Sequence, residues 1–384
     1  MYLLFSSGEA SGDLLGSRLL AALRRRRPAL AAYGMGGARL ASQGLERVAA
    51  SEDVSVVGFF EVLEKAPRLA GAFRNLTRAA AQRPPDAAIL IDFPDFHALL
   101  ARRLRTEGVP LIYYVSPQVW AWRRGRARSI ARRARRIITL FPFEADIYRR
   151  LGADALCAGH PLVDDVREGL ARPSPLPPKN RRRLVLLPGS RTAELARHWE
   201  PMAQAAHRLA SRHRLEIIAV RAAGLPESLF PSAAERGIRV VETGLHPLLA
   251  SADLALVASG TATLETALCG APMIVLYRTS PGSFAVGKLL VQVPWISLVN
   301  IVAQAPVVPE LLQNDVTAER LETEAEALLE SPSRLEEMRR GLARVSRELG
   351  PPGASDRAAD AVLEALERPG PSAQPAGALE GASS

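Results

Sequence analysis

Short runs of mostly apolar residues alternate with longer amphipathic stretches along most of this chain. A run that is apolar at nearly every position predicts a strand buried on both faces, and the amphipathic stretches between the runs predict helices. This alternation is typical of parallel sheets covered by helices on both faces. The predicted strands are Tyr2–Phe5, Leu30–Tyr33, Ala87–Ile91, Leu111–Val115 and Ile137–Leu140 in the first half, and Leu184–Leu187, Leu215–Val220, Ile238–Val241, Leu254–Val257 and Met273–Leu276 in the second.

A proline-rich segment separates the two halves. Four prolines fall within residues 173–178, which excludes a helix or a central strand there and predicts a linker. The pattern of Thr317–Glu367 predicts helices, and the composition from Arg368 onward predicts disorder. The predicted fold class is therefore α/β, with two doubly wound, Rossmann-like domains facing a cleft and a helical C-terminal segment. The predicted parts are a first domain 1–171, a linker 172–183, a second domain 184–345, a helix 346–367 that packs back on the first domain, and a disordered tail 368–384.

Length and composition fit two domains. A chain of 384 residues with 48% hydrophobic residues can bury a core in each of them. No uninterrupted apolar stretch approaches the roughly 18 residues of a spanning helix, and Met1–Phe5 lacks the basic flank of a signal peptide. Cys157 and Cys269 each lie alone in apolar surroundings, so we predict neither a disulfide nor a metal site and expect a reducing, cytoplasmic location.

The net charge of +9 comes mainly from arginine, and the richest segment runs from Arg123 to Arg136. Ala127, Ile130 and Ala134 recur there at helical spacing, which leaves the arginines on the opposite face. One interpretation is a solvated helix face. The other is attraction to phosphate, either in a nucleic acid or at an anionic membrane surface.

Two loops in the second half follow predicted strands and lead into predicted helices. The first is Leu187–Arg191, with the sequence Leu-Pro-Gly-Ser-Arg, and the second is Ala258–Glu265, with the sequence Ala-Ser-Gly-Thr-Ala-Thr-Leu-Glu. Such turns present free main-chain N–H groups and the positive end of a helix to an anion. This pair, one ending in an arginine and the other in hydroxyls and a glutamate, predicts binding of a nucleotide diphosphate.

A glycine-containing loop, Ser6–Asp13, follows the first predicted strand and opens a helix. Its glycine spacing differs from the dinucleotide fingerprint, so NAD binding is not predicted. One interpretation of this loop is a tight strand-to-helix turn that binds no ligand.

Asp92, Asp95 and His97 follow the predicted strand Ala87–Ile91, at the strand end where catalytic groups of α/β folds usually lie. Asp92 comes directly off the strand and is the candidate general base. For Asp95 we favour the role of N-cap of the next helix. His97 would then fall in the first turn of that helix.

The segment Tyr113–Arg124 contains two of the four tryptophans of the chain, Trp120 and Trp122, beside two arginines. Aromatic faces next to arginines suit a sugar, an acyl chain or a nucleic-acid base. The alternative is that one tryptophan packs in the core and the other lies on the surface.

Seven motifs together resemble those of a known family. They are Gly8–Asp13, Asp92–Phe96, Tyr114–Trp122, Phe141–Glu144, Gly159–Pro161, Leu187–Arg191 and Ser259–Glu265. Their order and spacing are similar to those of the lipid-A-disaccharide synthase family, and the resemblance extends from the first strand to about Gln313. This chain has Phe93 and His97 where the family more often has Ala and Asn.

The resemblance implies a GT-B glycosyltransferase with an acceptor domain that faces the membrane, a nucleotide-sugar domain and an active site between them. The donor would be UDP-2,3-diacylglucosamine and the acceptor 2,3-diacylglucosamine 1-phosphate (lipid X). The products would be the β-1,6-linked lipid A disaccharide 1-phosphate and UDP. Inversion from an α-linked donor requires a base for the acceptor 6-hydroxyl and positive charge for the leaving diphosphate. No cofactor and no metal are expected.

The resemblance also implies residue roles. Asp92 would be the base, and Arg191 would stabilise the UDP leaving group because a guanidinium makes bidentate contacts to phosphate. Glu265 would accept hydrogen bonds from the ribose. The expected UDP-binding residues are Gly189, Ser190, Arg191, Ser259, Gly260, Thr261, Ala262, Thr263, Glu265, Asn300 and Glu310. The expected residues on the acceptor side of the cleft are Glu9, Ser11, Asp95 and His97, with capping and loop hydrogen bonds as the alternative for Glu9 and Ser11.

Acylated substrates imply docking on the cytoplasmic face of the inner membrane. The apolar run Val57–Phe60 leads into a predicted helix with an apolar stripe between basic residues, as in interfacial helices. An ordinary core-facing helix is the alternative. The expected membrane or acyl contacts are Phe59, Phe60, Val62, Leu69 and Phe73. The expected partners are the two substrates and the membrane surface, without nucleic acid, and a homodimer is an option.

Two other interpretations stay open at this point. The peptidoglycan UDP-N-acetylglucosamine transferase and UDP-N-acetylglucosamine 2-epimerase share this architecture, but their acceptor-domain motifs differ from the Asp92 loop and the tryptophan segment. A basic RNA-binding protein is less favoured, because aromatic–basic modules of known spacing are missing and the paired phosphate loops would have no role.

Overall fold

The computed structural model describes residues 1–54, 66–115, 124–173, 179–280, 284 and 294–368. Within these ranges the chain forms two parallel sheets, each packed against helices. The predictions for Phe59, Phe60 and Val62, and those for the tryptophan segment 116–123, lie outside the described residues.

The first half of the chain contributes the strands β1 (Tyr2–Ser7), β2 (Ala31–Gly36), β3 (Glu46–Ala50), β4 (Ala87–Ile91), β5 (Leu111–Tyr114), β6 (Arg136–Thr139) and β7 (Ala155–Cys157). In the described ranges they form one parallel sheet in the spatial order β3-β2-β1-β4-β5-β6-β7. Successive strands are added on one side of β1 up to β3 and on its other side from β4 onward. The strand order therefore reverses between β1 and β4, where Ser7 lies beside Ile91. Ligands of doubly wound sheets bind in the crevice at such a reversal.

The second half contributes the strands β8 (Arg183–Leu187), β9 (Glu216–Val220), β10 (Ile238–Val241), β11 (Leu254–Ala258), β12 (Met273–Tyr277) and β13 (Glu310–Leu312). Over the residues described, their spatial order is β10-β9-β8-β11-β12-β13, again all parallel. The reversal here lies between β8 and β11, where Leu187 is beside Val257. Both predicted phosphate loops therefore leave the sheet at its reversal.

Helices connect most of the strands and cover both sheets. In chain order they are α1 (Ala10–Arg26), α2 (Ala38–Ser42), α3 (Ser51–Val54), α4 (Ala66–Gln82), α5 (Pro94–Thr106), α6 (Arg124–Ala131), α7 (Pro142–Arg150), α8 (Leu162–Leu170), α9 (Thr192–His213), α10 (Leu245–Ala250), α11 (Thr261–Leu268), α12 (Leu298–Ala303), α13 (Ala318–Leu329), α14 (Pro332–Glu348) and α15 (Ala354–Glu367). No helix in the described part of the chain is both long and apolar enough to cross a membrane.

Each of the ten predicted strands overlaps a strand of the structure, and the ends differ by three residues or fewer. Three strands were not predicted: β3, β7 and β13. All three lie at sheet edges, where a strand need not be apolar on both faces. β3 is exposed or half-buried along its length, and β7 and β13 have three residues each. A search for continuous apolar runs therefore misses them.

The last helix packs against the first half of the chain. α15 contacts α1 and β6, and ion pairs join Arg25 to Asp356 at 2.8 Å and Arg136 to Glu364 at 3.0 Å. The predicted helix boundary at residue 346 is wrong, because α14 extends to Glu348 and the Gly-Pro-Pro-Gly segment before α15 cannot continue a helix.

Candidate active site

The loop after β8 already binds a carboxylate of its own chain. The main-chain N–H groups of Ser190 and Arg191 donate to Oε2 of Glu194 over 2.9 and 3.3 Å, and the Arg191 guanidinium lies 3.0 Å from Oε1. Gly189 has a φ of +125°, which favours glycine, and a β-carbon there would meet Oε2 at 2.6 Å. The predicted phosphate donors thus converge on one anionic group. The guanidinium stays accessible, since the Arg191 side chain is 68% exposed.

Glu194 was missed in the sequence analysis, although a signal for it exists. A glutamate in the third position of a helix reaches back to the N-cap main chain in the capping box, and Glu194 stands at that position of α9. The negative charge sits where a diphosphate is expected. Any anionic ligand of this loop must share or displace these hydrogen bonds.

The loop after β11 faces open space. The N–H of Ser259 donates to the carbonyl of Leu276 over 2.8 Å, which fixes the loop to β12. A β-carbon on Gly260 would meet no heavy atom within 4 Å among the described residues. Thr261 is exposed, and Ser259 and Ala262 are half-buried. This side of α11 is therefore accessible to a ligand.

Thr263 does not belong to that accessible surface, which corrects its place among the expected UDP contacts. The residue is fully buried, and its hydroxyl donates to the carbonyl of Gly260 over 2.8 Å. It stabilises the first turn of α11 from within.

Glu265 has a protein partner that the sequence analysis missed. Its Oε1 lies 3.2 Å from Nε2 of His246 in α10, and the histidine ring packs against Gly169 of α8. The predicted ribose contact is thus oriented by a helix of the second sheet, which in turn touches a helix of the first half. No local sequence pattern predicts the contact between His246 and Glu265.

Asn300 and Glu310 bind each other and the loop around them. Nδ2 of Asn300 donates to Glu310 over 2.8 Å, and the same carboxylate accepts from the N–H groups of Ile296 and Ser297 at 2.9 and 3.0 Å. Asn300 also pairs with the main chain of Val308 in both directions and is only 1% exposed. Asn300 therefore does not line the nucleotide pocket as expected, and both side chains hold the backbone around α12.

Asp92 lies at the reversal of the first sheet. Its backbone φ is +32°, a conformation that Asp tolerates better than most residues. The side chain is half-buried, and its carboxylate makes no hydrogen bond within the ranges described. Burial, and to a smaller extent the negative charge of Glu9, raise the pKa of Asp92 to about 6. The result is a carboxylate that is more basic than usual and has no competing partner there.

The loop after β1 approaches Asp92 closely. A β-carbon on Gly8 would lie 2.5 Å from the ring of Phe93, so only glycine fits between them. This contact places Glu9 near Asp92, and Glu9 and Ser11 are both exposed. The structure therefore brings together the base candidate and Glu9, one of the expected acceptor-side residues.

Asp95 is not the N-cap of α5, which corrects the role that we favoured. The helix begins at Pro94, Phe93 occupies the N-cap position, and no side chain caps it. Asp95 is the second residue of the helix, and its 84% exposed carboxylate forms an ion pair with Arg126. A negative charge in the first turn still suits the helix dipole.

His97 is buried below the Asp92 loop, which corrects its expected place at the acceptor surface. It is 2% exposed, and its Nε2 lies 2.9 Å from the hydroxyl of Ser6. Burial lowers the pKa of His97 to about 3, so the ring is neutral at physiological pH. The histidine joins α5 to β1.

Leu69 and Phe73 pack partly into the protein. Both are half-buried against a hydrophobic cluster of the first sheet, and the Phe73 ring meets that of Phe96 edge-on at 6.2 Å. Leu76 on the same stripe is fully buried. For these positions the structure favours the core-facing alternative over a membrane-facing stripe.

Comparisons with known proteins agree with this architecture. The family model described as lipid-A-disaccharide synthetase matches residues 3–364. The chain is 43% identical over 379 residues to the lipid-A-disaccharide synthase of Myxococcus xanthus, covering 95% of this chain and 97% of that protein. It is also 43% identical over 376 residues to the same enzyme of Anaeromyxobacter dehalogenans strain 2CP-1, covering 94% and 96%.

Solved structures show the fold. The calicheamicin glycosyltransferase CalG4 superposes with a TM-score of 0.65 at 15% identity, over 96% of this chain and 99% of that one. A putative UDP-N-acetylglucosamine 2-epimerase from Listeria monocytogenes gives 0.60 at 15% identity, over 95% of both chains. These neighbours identify a GT-B architecture, and the match over nearly the whole sequence shows that the chain belongs to the lipid-A-disaccharide synthetase family.

Proposed function

We propose that this chain condenses UDP-2,3-diacylglucosamine with 2,3-diacylglucosamine 1-phosphate. The products are the β-1,6-linked lipid A disaccharide 1-phosphate and UDP. The observation that carries the proposal is the half-buried carboxylate of Asp92, with its pKa raised to about 6, at the reversal of the first sheet. Family membership supports the substrate pair.

The reaction is a single inverting displacement. Asp92 accepts the proton of the acceptor 6-hydroxyl while that oxygen bonds to C1 of the donor sugar. The bond between C1 and the diphosphate oxygen breaks, and its electrons leave with UDP. Arg191 and the N–H groups of its loop stabilise the charge that develops on the diphosphate. The first domain holds the acceptor and the second domain holds the UDP-sugar.

Two features support a role of the second loop in binding the nucleotide. The main-chain N–H groups of Gly260, Thr261 and Ala262 donate to no described residue, and neither does the hydroxyl of Thr261. They are therefore available to an anion at the start of α11. The carboxylate of Glu265, oriented by His246, accepts hydrogen bonds from the ribose hydroxyls. Thr263, Asn300 and Glu310 support this pocket from inside the protein.

The test is product formation from the purified protein with both acylated substrates in detergent micelles. Mass spectrometry should detect the disaccharide 1-phosphate in equal amount to the UDP released. A parallel reaction with UDP-N-acetylglucosamine alone tests the epimerase alternative. Epimerised nucleotide sugar without any disaccharide would contradict the proposal.

Attachment to the cytoplasmic face of the inner membrane is a further part of the proposal. Arg68, Arg74 and Arg78 of α4 are exposed and form no ion pair in the part of the chain that the structure describes. Each basic residue near an anionic leaflet contributes about 1 kcal/mol. These charges support peripheral binding through this face of the acceptor domain.

Vesicle sedimentation tests this attachment. Replacing the three α4 arginines by Gln should lower partitioning onto vesicles containing anionic lipid by about tenfold or more. The matched control replaces Arg239, Arg320 and Arg344, which are exposed arginines of the second half. Equal losses in both triple variants would show that net charge rather than this face governs binding.

A further inference from the structure

A buried histidine joins two loops at the carboxyl edge of the second sheet. His198 of α9 is 3% exposed. Its Nδ1 lies 3.0 Å from the carbonyl oxygen of Pro188, and its Nε2 lies 3.1 Å from the main-chain nitrogen of Arg278. A main-chain N–H only donates, so Nε2 accepts from Arg278 and Nδ1 carries the proton that it donates to Pro188. Burial lowers the pKa of His198, which favours this neutral form.

The two partners of His198 belong to neighbouring parts of the predicted diphosphate site. Pro188 directly precedes the loop Gly189–Arg191, and Arg278 directly follows β12. β11, whose carboxyl end leads to Ser259, lies between β8 and β12 in the sheet. The histidine ring thus fixes the main chain of Arg278 relative to the loop of Arg191.

The side chain of Arg278 is available to a ligand. The main chain of the next residue, Thr279, pairs with the amide of Gln313, so the backbone is held on both sides. The guanidinium itself is exposed and forms no ion pair with any described residue. Arg191, in contrast, shares its charge with Glu194. An uncompensated cation at this edge of the sheet suits a polyanion.

We propose that Arg278 is a second cation for the diphosphate of the bound UDP-sugar, and that His198 is the residue that positions it. The inference rests on the proposed function, because it takes a UDP-sugar as the ligand. The diphosphate gains negative charge as its bond to C1 breaks, and a second guanidinium can make further charge-assisted hydrogen bonds to it. Arg191 and Arg278 hold the diphosphate from β8 and β12, on the two sides of the Ser259 loop.

The test compares UDP with uridine, which lacks the phosphates. Arg278→Gln should weaken UDP binding by about tenfold or more, as expected for loss of a charge-assisted contact, and leave uridine binding unchanged. Titration calorimetry measures both affinities. Arg239→Gln is the matched control, because Arg239 is an exposed arginine of β10 in the same sheet. It should change neither affinity.

The results distinguish a failure of the inference from a failure of the proposed function. An unchanged UDP affinity in Arg278→Gln, or an equal loss for uridine, overturns the role of Arg278 even if the wild type makes disaccharide. A selective loss of UDP affinity supports that role even if no disaccharide forms, and then only the substrate proposal fails. A wild-type protein that does not bind UDP overturns both.

A double-mutant cycle tests the positioning role of His198. His198→Ala should weaken UDP binding in the wild-type background and weaken it less when Arg278 is already Gln. His198→Gln, whose amide oxygen is an acceptor for the N–H of Arg278, should recover part of the affinity. Additive losses, with no recovery in His198→Gln, would show that the histidine only stabilises the domain.

Discussion

The chemistry proposed for this chain depends on the environment of single residues, and above all on that of Asp92. An ordinary exposed aspartate is a weak base near neutral pH. Partial burial and the neighbouring Glu9 make the carboxylate of Asp92 more basic, since both disfavour its charged form. A value of about 6 still leaves most of the group ionised at pH 7.5. Near the working pH, the Asp92 carboxylate is thus mostly ionised and still more basic than an ordinary aspartate.

The pH profile should report this carboxyl group. Protonated Asp92 cannot accept the proton of the acceptor hydroxyl, so kcat/KM should fall about tenfold per pH unit below the pKa of about 6. Glu9→Gln removes a negative neighbour, which lowers the pKa of Asp92 and moves the acidic limb to lower pH. The midpoint of that limb in both proteins is the measurement. A midpoint that stays fixed or rises in Glu9→Gln would contradict this electrostatic coupling.

Glu194 provides a second prediction for a single residue. Its carboxylate occupies the donors of Ser190 and Arg191, so it competes with an anionic ligand for them. Glu194→Gln keeps a capping side chain but removes the charge, and UDP affinity should rise several-fold, by on the order of 1 kcal/mol. Calorimetric titration with UDP measures this change.

The control for that experiment is Glu200→Gln on the same helix. Glu200 is exposed and pairs with Arg236 at 2.7 Å, so its neutralisation should leave UDP affinity unchanged. Weaker UDP binding in Glu194→Gln would show instead that the carboxylate holds the loop in its binding conformation.

At the scale of elements, the sequence predicts the strands and loops whose pattern lies within a few consecutive residues. Central strands are apolar on both faces, and the ten predicted strands overlap strands of the structure. The phosphate loops and Asp92 could be placed because each follows such a strand. Contacts between distant segments carry no local signal, so the pairs His97–Ser6 and His246–Glu265 were not predicted.

The docking of α15 on the first sheet yields a prediction about stability. The Arg136 side chain is 4% exposed and binds Asp154 at 2.9 Å and Glu364 at 3.0 Å. Arg136→Ala leaves Glu364 without this partner and opens a cavity, and should lower the free energy of unfolding by about 2 kcal/mol. Urea denaturation of the whole chain measures the loss.

Arg368→Ala is the control for this effect, because Arg368 also binds Asp154 but its side chain is 60% exposed. Surface pairs contribute about 0–1 kcal/mol. If both variants lost the same stability, burial of Arg136 would not explain how α15 is held.

At the scale of the whole molecule, the net charge of +9 is distributed unevenly. Part of it holds the C-terminal helices, as in the pairs Arg26–Asp356 at 2.7 Å and Arg212–Glu326 at 2.6 Å. Arg191 and Arg278 lie at the carboxyl edge of the second sheet, and three further arginines lie on the exposed side of α4. Ion pairs within the fold thus account for part of the charge, and the proposed function assigns the rest to the UDP-sugar and the membrane surface.

The positions of the two candidate groups explain why the proposed reaction needs two domains. The candidate base lies at the reversal of one sheet and the candidate leaving-group cation at the reversal of the other. Neither domain carries both groups, so the proposed reaction requires the acceptor and the UDP-sugar to meet between the two domains. Removing the base should therefore leave nucleotide binding intact.

The most direct test is disaccharide formation by Asp92→Asn, with UDP affinity measured on the same protein. We expect turnover to fall by about 10²–10⁴-fold, the usual contribution of a general base, while UDP binds as in the wild type. Asp146→Asn, at an exposed aspartate of α7, should keep full activity. Disaccharide formation at a near wild-type rate in Asp92→Asn would contradict the assignment of the catalytic base.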